Sequence, residues 1–462
     1  MHVVILGAGR VGLQLAKQLV NERKEVVIIE KDTKRAQDVS RQLDCLIIND
    51  NGNSIEGLEK AQVSQADFFI SVTESDEINM IACALVASTY DKPVTVARVR
   101  NFDYSKTWRD RTGFLGINHI VNPEIEVAQA ISRAVEYGAV SSVVDFETSS
   151  LQMRNIQVDT GSVFEGQQLM DLRRKLAVPF IVAVIARDNR MIIPTGKTKL
   201  QAGDHIWILA DSKDFETILK QIDKSQVYLK NIVLAGGGNV GTYIAQYLLE
   251  SWTLKTGLFK GFMQKKPAVV NRRNVHIVER SYKRCKQLAE LLPAAQITNA
   301  DISEEQVLEE GRFHTYDLLI TATGNQELNI VTAAYARKAG ISRSLALVKK
   351  SSTAEIARSL GIDAAISINE TLVNSIQKII RKNYATSVYN FSDSDLEMLE
   401  IPLSNRPGLS GKLIRDIQLP GKSLIIMITR NKEYIIPYGD LELQPEDYLM
   451  IITSKKYIRE FE

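Results

Sequence analysis

Apolar and polar positions recur along the chain in a fixed order: a short unbroken apolar run, a turn, then apolar residues three and four apart. His2–Leu6 (HVVIL) is the first such run, the pattern of a strand covered on both faces. Val11, Leu15, Leu19 and Val20 follow at helical spacing. Glu25–Glu30 reads as a second strand, 31–43 as a helix, and Cys45–Ile48, Phe68–Val72 and Val94–Val99 as three further strands. Strands and helices alternating in units of this size predict an α/β fold, a Rossmann-like, doubly wound parallel sheet. Pro123–Tyr137 is a long amphipathic pattern through Ile125, Ala128, Ile131 and Val135. From Val143 to about Leu219 short strands follow turns: Leu151–Val158, Phe180–Arg187, Met191–Ile193 and His205–Ala210. They predict a small β-rich α+β domain.

Between the first strand and its helix lies GAGRVG: Gly7, Ala8, Gly9, Arg10, Val11 and Gly12. Strand, glycine turn and helix in this order form the dinucleotide fingerprint. Gly7 permits the tight turn, Gly9 leaves room for a pyrophosphate, and Gly12 lets the helix sit close to the strand. Helix N–H groups and the positive end of the helix dipole then face the phosphates. Glu30 ends the second strand 18 residues beyond Gly12. A carboxylate there accepts both hydroxyls of an adenosine ribose and repels a 2′-phosphate, which favours NAD or an adenine nucleotide over NADP. Asp50 and Asn51 follow the third strand, Thr73 and Glu74 the fourth, and the end of the fifth carries Arg98 and Arg100. All fall at strand carboxyl ends, where such sheets bind ligands.

At Ile232 the order starts again. GGGNVG places Gly236, Gly237, Gly238, Asn239, Val240 and Gly241 over the first turn at an offset of 229. Glu279 falls over Glu30 at 249, Asp301 over Asp50 at 251, and Thr321–Asn325 over Ser71–Ser75 at 250. Continuing at 250 sets Lys350 over Arg100, Val348 over Arg98 and Gly324 over Glu74. The small domain recurs as well, with Asp447 over Asp204. The whole unit is therefore duplicated. Expected bounds are a nucleotide-binding domain at 1–122, a hinge helix at 123–140 and a small domain at 141–225. The second copy gives 228–367, 368–385 and 386–462, with an insertion at about 251–274.

That insertion carries Lys255, Lys260, Lys265, Lys266, Arg272 and Arg273, interleaved with Trp252, Leu258, Phe259, Phe262 and Met263. It suits an anionic lipid surface, an acidic partner, or a solvated loop resting on its neighbour. The full chain of 462 residues carries a net charge of only +2, so nothing in it argues for nucleic acid. Three widely spaced cysteines suit a reducing compartment and form no disulfide framework or zinc knuckle. No apolar run reaches the roughly 18 residues of a membrane span, and the first residues already form a strand rather than a secretory signal.

The tandem order, together with GAGRVG, Glu30, the VTESDEINM run at 72–80, ARVR at 97–100, VNPE at 121–124 and their second-copy partners, resembles the regulators of potassium conductance (the KTN/RCK family). The resemblance spans essentially the whole chain. It implies a regulatory subunit, not an enzyme, that binds NAD(H) and ATP or ADP and gates potassium flux by moving. It further implies a homo-oligomer, a tetramer, on the cytosolic face of the membrane beneath a Trk-type potassium-transporting membrane subunit. Under it, Gly7–Val11 cradle phosphates, Glu30 holds the adenosine ribose, Asp50 and Asn51 flank the adenine side, and Thr73 and Glu74 border the remainder. Arg98 and Arg100 meet phosphate charge, one of them reaching toward a neighbouring copy. Gly236–Val240, Glu279 and Asp301 repeat the set, but the loss of a cation and a carboxylate at Val348 and Gly324 argues against a triphosphate there.

Bland readings stand beside these. Arg98 and Arg100 also read as strand-end charges paired with Glu30 or Asp76. Glu124 is either an ordinary acid near a helix N-terminus or a group beside a phosphate or ion. The alternative function is an NAD-dependent oxidoreductase. Hydride transfer needs a positioned acid or base, and His2, His119, His205, His276 and His314 have no neighbours at suggestive spacing. No metal site is expected.

Overall fold

His2–Leu6 forms β1, and all five of its residues are buried. It lies between β2 (Glu25–Ile29) and β4 (Phe68–Ser71), parallel to both. With β3 (Leu46–Ile48), β5 (Val94–Arg98) and β6 (His119–Val121) they make one six-stranded sheet of order 3-2-1-4-5-6. The strand order reverses between β1 and β4, which locates the ligand crevice above their carboxyl ends. The connecting helices are α1 (Arg10–Asn21), α2 (Thr33–Ser40), α3 (Ile55–Lys60) and α4 (Asp76–Thr89). This computed structural model describes every residue except 102, 106–112, 137–142, 146–149, 177, 189, 222–228, 250–272, 305–306, 308–312, 384–386, 391–394, 406, 432 and 462.

α5 (Pro123–Glu136) leads into a small antiparallel sheet. Its strands are β7 (Val143–Asp145), β8 (Leu151–Gln157), β9 (Phe180–Arg187), β10 (Arg190–Ile192) and β11 (His205–Asp211), in the order 10-9-11-8-7. Two short helices, α6 (Leu169–Lys175) and α7 (Phe215–Gln221), accompany it. The second parallel sheet holds β12 (Asn231–Ala235), β13 (Asn274–Glu279), β14 (Gln296–Asn299), β15 (Leu318–Thr321), β16 (Arg343–Val348) and β17 (Ala364–Ser367), in the order 14-13-12-15-16-17. Its helices are α8 (Asn239–Leu249), α9 (Tyr282–Leu291), α10 (Gln326–Tyr335) and α11 (Ser351–Ser359). α12 (Ile368–Asn383) then leads to β18 (Ser387–Asn390), β19 (Leu396–Pro402), β20 (Leu424–Arg430), β21 (Glu433–Ile435) and β22 (Tyr448–Ser454). These pair as 18-19-22-20-21, the first small sheet's connectivity read from the other edge.

Element ends differ from the sequence pattern for local reasons. β2 stops at Ile29, one residue before Glu30. α2 starts at Thr33 because Asp32 caps it, its Oδ1 accepting the Arg35 N–H at 2.8 Å, and it ends at Ser40. α3 and β6 have six and three residues, too few for periodicity to register. The basic insertion lies outside the described residues apart from Arg273 and Asn274.

Two compact units result, and they do not follow the order of the repeats. One joins Met1–Arg133 with Leu229–Ile380, so both parallel sheets share it. Inside it, Leu372, Val373, Ile376 and Ile380 of α12 enter the same apolar core as Val3, Ile5, Leu15 and Leu19 of the first repeat. Burial of such side chains is worth about 1.5–3 kcal/mol each. In the opposite direction, Gln129 of α5 donates to the Tyr247 hydroxyl on α8 at 3.0 Å. Where the helices meet, the Ser375 hydroxyl donates to Glu126 Oε2 at 2.6 Å. α12 thus packs on the first repeat, and α5 hydrogen-bonds to the second.

The second unit joins Ala134–Tyr228 with Arg381–Glu462. Leu151, Met153, Val184 and Leu209 share one core with Met398, Ile426, Met450 and Ile452, so the two small sheets bury their faces together. Each sheet also carries a forked ion pair. Arg187 donates through Nε and Nη2 to Asp204 at 2.7 Å each, and Arg430 meets Asp447 at 2.7 and 2.8 Å.

Candidate functional site

The first glycine turn is built by close backbone approach. Gly7 has φ of +103°, and a Cβ on Gly12 would stand 1.9 Å from the Gly7 carbonyl oxygen. A Cβ on Gly9 would meet nothing within 4 Å, so the space above the turn is open. Arg10 and Val11 open α1, whose free N–H groups point toward that space. Turn and helix therefore fit a diphosphate: room at Gly9, donors behind it, and no acid on the turn itself.

Glu30 closes the turn from the side and is 5% exposed. Its Oε2 accepts the Ala8 N–H at 2.8 Å and its Oε1 the Asp32 N–H at 2.9 Å. Each oxygen keeps a lone pair for a ribose hydroxyl. Asn49 steadies the strand end by donating to the Glu30 carbonyl at 2.8 Å. Asp50 pairs with Lys60 at 2.9 Å, and that hydrogen bond, with the Asn51 N–H, holds its carboxyl below the usual range.

The far rim is organised by a residue to which the sequence pattern assigns no role. The Asn79 carboxamide oxygen accepts from the Thr73 N–H at 2.8 Å and the Thr73 hydroxyl at 2.7 Å. Its amide donates to the Arg98 carbonyl at 2.8 Å, tying the ends of β4 and β5 together. Arg98 Nη1 donates to the Thr73 carbonyl at 3.1 Å, while its buried Nε has no partner. Burial, and then the Arg100 charge, lower the Arg98 pKa. Arg100 donates to the Glu74 carbonyl and stands 3.8 Å from Asp76 Oδ1. Both arginines thus converge on the Thr73–Glu74 rim, and the pairing with Asp76 belongs to Arg100.

The second turn repeats this construction. Gly236 has φ of +106°, a Cβ on Gly241 would lie 2.0 Å from the Gly236 oxygen, and Gly238 is open. Glu279 accepts the Gly237 and Ser281 N–H groups, each at 2.8 Å. Asn239 and Val240 open α8. Asn329 accepts the Thr323 N–H and hydroxyl at 2.9 and 2.6 Å. Arg284 is an addition: it donates to the Gly237 carbonyl and the Thr242 hydroxyl, each at 2.8 Å. Its counterpart Arg35 stays 3.9 Å from Glu30, and Leu13 stands where Thr242 does.

Hydrogen bonds correct the register between the repeats at two places. Asn79 donates to the Arg98 carbonyl, and Asn329 donates to the Leu347 carbonyl at 2.9 Å. Asp76 accepts the Arg100 N–H, and Gln326 accepts the Lys349 N–H. The counterparts of Arg98 and Arg100 are therefore Leu347 and Lys349, at an offset of 249, rather than Val348 and Lys350. Likewise Asn49 and Asn299 make the same bond to the acid's carbonyl. The turn from Asn51 to Ser54 recurs from Asp301 to Glu304, which places Asp301 over Asn51 rather than Asp50. The Ser303 hydroxyl, and then its N–H, hold the Asp301 carboxyl low. Loss of the Arg98 cation in the second copy stands, and Asp76 becomes the neutral Gln326.

Glu124, on the first turn of α5, stands near enough to Asn239 at the second glycine turn for that amide to favour its charged form. Its Oε2 is buried without a partner, and burial raises its pKa.

Residues 3–123 and 267–368 match the TrkA-N domain, and 153–223 and 398–462 match the TrkA-C domain. The chain is 28% identical to the Trk system potassium uptake protein TrkA of Halomonas elongata, covering 100% of this chain and 98% of that one. It is 29% identical to the TrkA homolog of Archaeoglobus fulgidus, covering 100% and 99%. Among solved structures, the GsuK RCK domain superposes with a TM-score of 0.58 at 16% identity, covering 100% of this chain and 94% of that one. The GsuK channel bound to NAD gives 0.59 at 17% identity, covering 100% and 78%. These two likenesses establish the shared fold.

Proposed function

The chain belongs to the TrkA family, and from that premise we propose that it is the nucleotide-sensing regulatory subunit of a potassium-uptake system. It binds NAD(H) and ATP or ADP at its glycine turns and changes ion flux by changing shape. It acts from the cytosolic face of the membrane on a Trk-type potassium-transporting subunit, as a homotetramer. No helix among the described residues is long and apolar enough to cross a membrane.

The observation that carries this reading is the linkage of the two turns. α12 completes the core behind the first turn, and Gln129 on α5 donates to Tyr247 on α8, the helix that opens from the second. Filling either turn therefore acts on a helix shared with the other repeat. A nucleotide shifts such a unit only by binding two arrangements unequally. Arg98 and Arg100 supply a source of that inequality in the first pocket, since they answer terminal phosphate charge. Leu347 removes one of these cations from the second, which makes the pockets unlike. The resemblance of the GsuK fold, solved with NAD, supports a dinucleotide in a cradle of this kind.

The test is titration of the full chain with NADH, ATP and ADP, paired with potassium flux in vesicles containing its membrane subunit. Saturable binding that changes flux and leaves NADH chemically unchanged is the expected result. Steady oxidation of NADH by a panel of aldehydes or oxo acids, or steady reduction of NAD by a panel of hydroxy acids, would replace regulation with catalysis.

A further inference from the structure

His276 stands in the middle of β13 and is 7% exposed. Its Nδ1 lies 2.8 Å from the Tyr316 hydroxyl oxygen, and its Nε2 2.8 Å from that of Thr298 on β14. The matching places in the first repeat are apolar. Val4 pairs with Val27 as Val233 pairs with His276, and Ile29 pairs with Ile48 as Val278 pairs with Thr298. The Asp67 N–H meets the His2 carbonyl as the Asp317 N–H meets that of Asn231, which sets Tyr316 over Ala66. One such exchange alone would bury an orphaned polar group, whereas the three together satisfy one another.

This triad ties together the two strands whose ends hold the second pocket's ribose acid. Glu279 closes β13 three residues after His276. Thr298 precedes Asn299, which pairs with Glu279 and donates to its carbonyl at 3.0 Å and to that of Arg280 at 2.9 Å. A neutral imidazole accepts at one nitrogen and donates at the other, and each hydroxyl can take either part. A cationic imidazole donates at both, so both hydroxyls must accept and turn their own protons onto other neighbours. Burial lowers the His276 pKa and raises that of Tyr316. The elements around the triad also carry the Tyr335 phenol, His314, the Lys230 ammonium and the Asp317 carboxylate. That carboxylate accepts the Lys230 and Asn231 N–H groups at 2.9 and 2.7 Å.

We infer that His276 is a positioning residue of the second pocket that works only when neutral, so that acid weakens nucleotide binding there and spares the first pocket. The inference rests on reading the second turn as a nucleotide pocket. Val27, Ile48 and Ala66 have no proton to gain at the matching place. Affinity holds above about pH 6.5, the ordinary histidine value, and falls as acid protonates the ring. By reciprocity, a nucleotide that needs the neutral ring makes the ring harder to protonate.

The experiment uses the full chain carrying Glu30→Ala, which weakens the first pocket. NAD is titrated by calorimetry, because acid degrades the reduced form. Deuterium exchange at the His276 ring carbon, read by mass spectrometry, follows the ring's protonation with and without NAD and needs no further substitution. A second chain adds His276→Val, Thr298→Ile and Tyr316→Ala, the first repeat's own set, so that no hydroxyl of the triad is orphaned. With His276 present, the NAD dissociation constant should rise by about threefold or more between about pH 7.5 and pH 5.5. Saturating NAD should lower the ring's midpoint, and the substituted chain should show a flatter profile. An equal pH response in both chains, or a ring midpoint that NAD leaves unmoved, overturns the inference. If NAD binds neither chain at any pH, the second turn is not a nucleotide pocket, and the inference falls with that reading.

Discussion

Asn79 grips Thr73 through one carboxamide oxygen, which accepts both the threonine N–H at 2.8 Å and its hydroxyl at 2.7 Å. The same oxygen also takes the Ser71 hydroxyl at 2.9 Å. Asn79 is fully buried, so removing it orphans several buried donors. Asn79→Ala should therefore destabilise the fold by about 1–3 kcal/mol, read as a lower denaturant midpoint. It should also loosen the first pocket's rim and weaken nucleotide binding there. Unchanged stability would show that water replaces the grip.

Glu30→Ala should weaken every adenosine ligand at the first pocket by roughly 1–3 kcal/mol, the scale of hydrogen bonds to a charged group. The Ala8 N–H loses its acceptor at the same time. Titration of NADH, ATP and ADP should show comparable losses, because all three present the same ribose.

Arg100→Ala should reduce the contrast between ATP and ADP more than it reduces NADH binding. Its guanidinium already leans on the Glu74 carbonyl and lies near Asp76, so it is placed on the rim rather than beneath the ribose. Equal losses for all three ligands would remove it from terminal-phosphate recognition.

Asp204 sets a pH limit on the first small domain. Burial pushes its carboxyl up, but the Arg187 fork and the Gln201 N–H outweigh this and leave its pKa below the usual value. A depressed carboxylate contributes stability above its unfolded pKa, near 4, and loses it as pH falls through the folded value. The melting temperature should accordingly drop on acidification below about pH 4. Asp204→Asn should cost about 3 kcal/mol at neutral pH by leaving Arg187 without its counter-charge, and should flatten that acid limb.

Much of this organisation is legible in the chain itself. Both glycine turns, Glu30 and Glu279 stand out because backbone crowding demands glycine at fixed spacing. The order of elements follows from alternating runs. Register at β16 is harder to read, since Ala97–Arg100 and Ala346–Lys349 share too few polar residues to mark a one-residue shift. The bonds from Asn329 to the Leu347 carbonyl and from the Lys349 N–H to Gln326 fix it. The crossing of α5 and α12 is also hidden, because an amphipathic stripe says that a face is buried, not which sheet it covers. Glu124 reads as a helix-terminal acid until Asn239, 115 positions away, is seen beside it.

The central claim is that nucleotide occupancy becomes movement between the two repeats. Ile81 and Val331 occupy equivalent exposed positions on α4 and α10, at 52% and 67% exposure, and accept spin labels once Cys45 is replaced by serine. The distance distribution between labels at 81 and 331, measured with and without NADH, ATP and ADP, tests the claim most directly. The account predicts that saturating ligand shifts the distribution reversibly, and that NADH is recovered unchanged. An identical distribution at full occupancy of both pockets would contradict it.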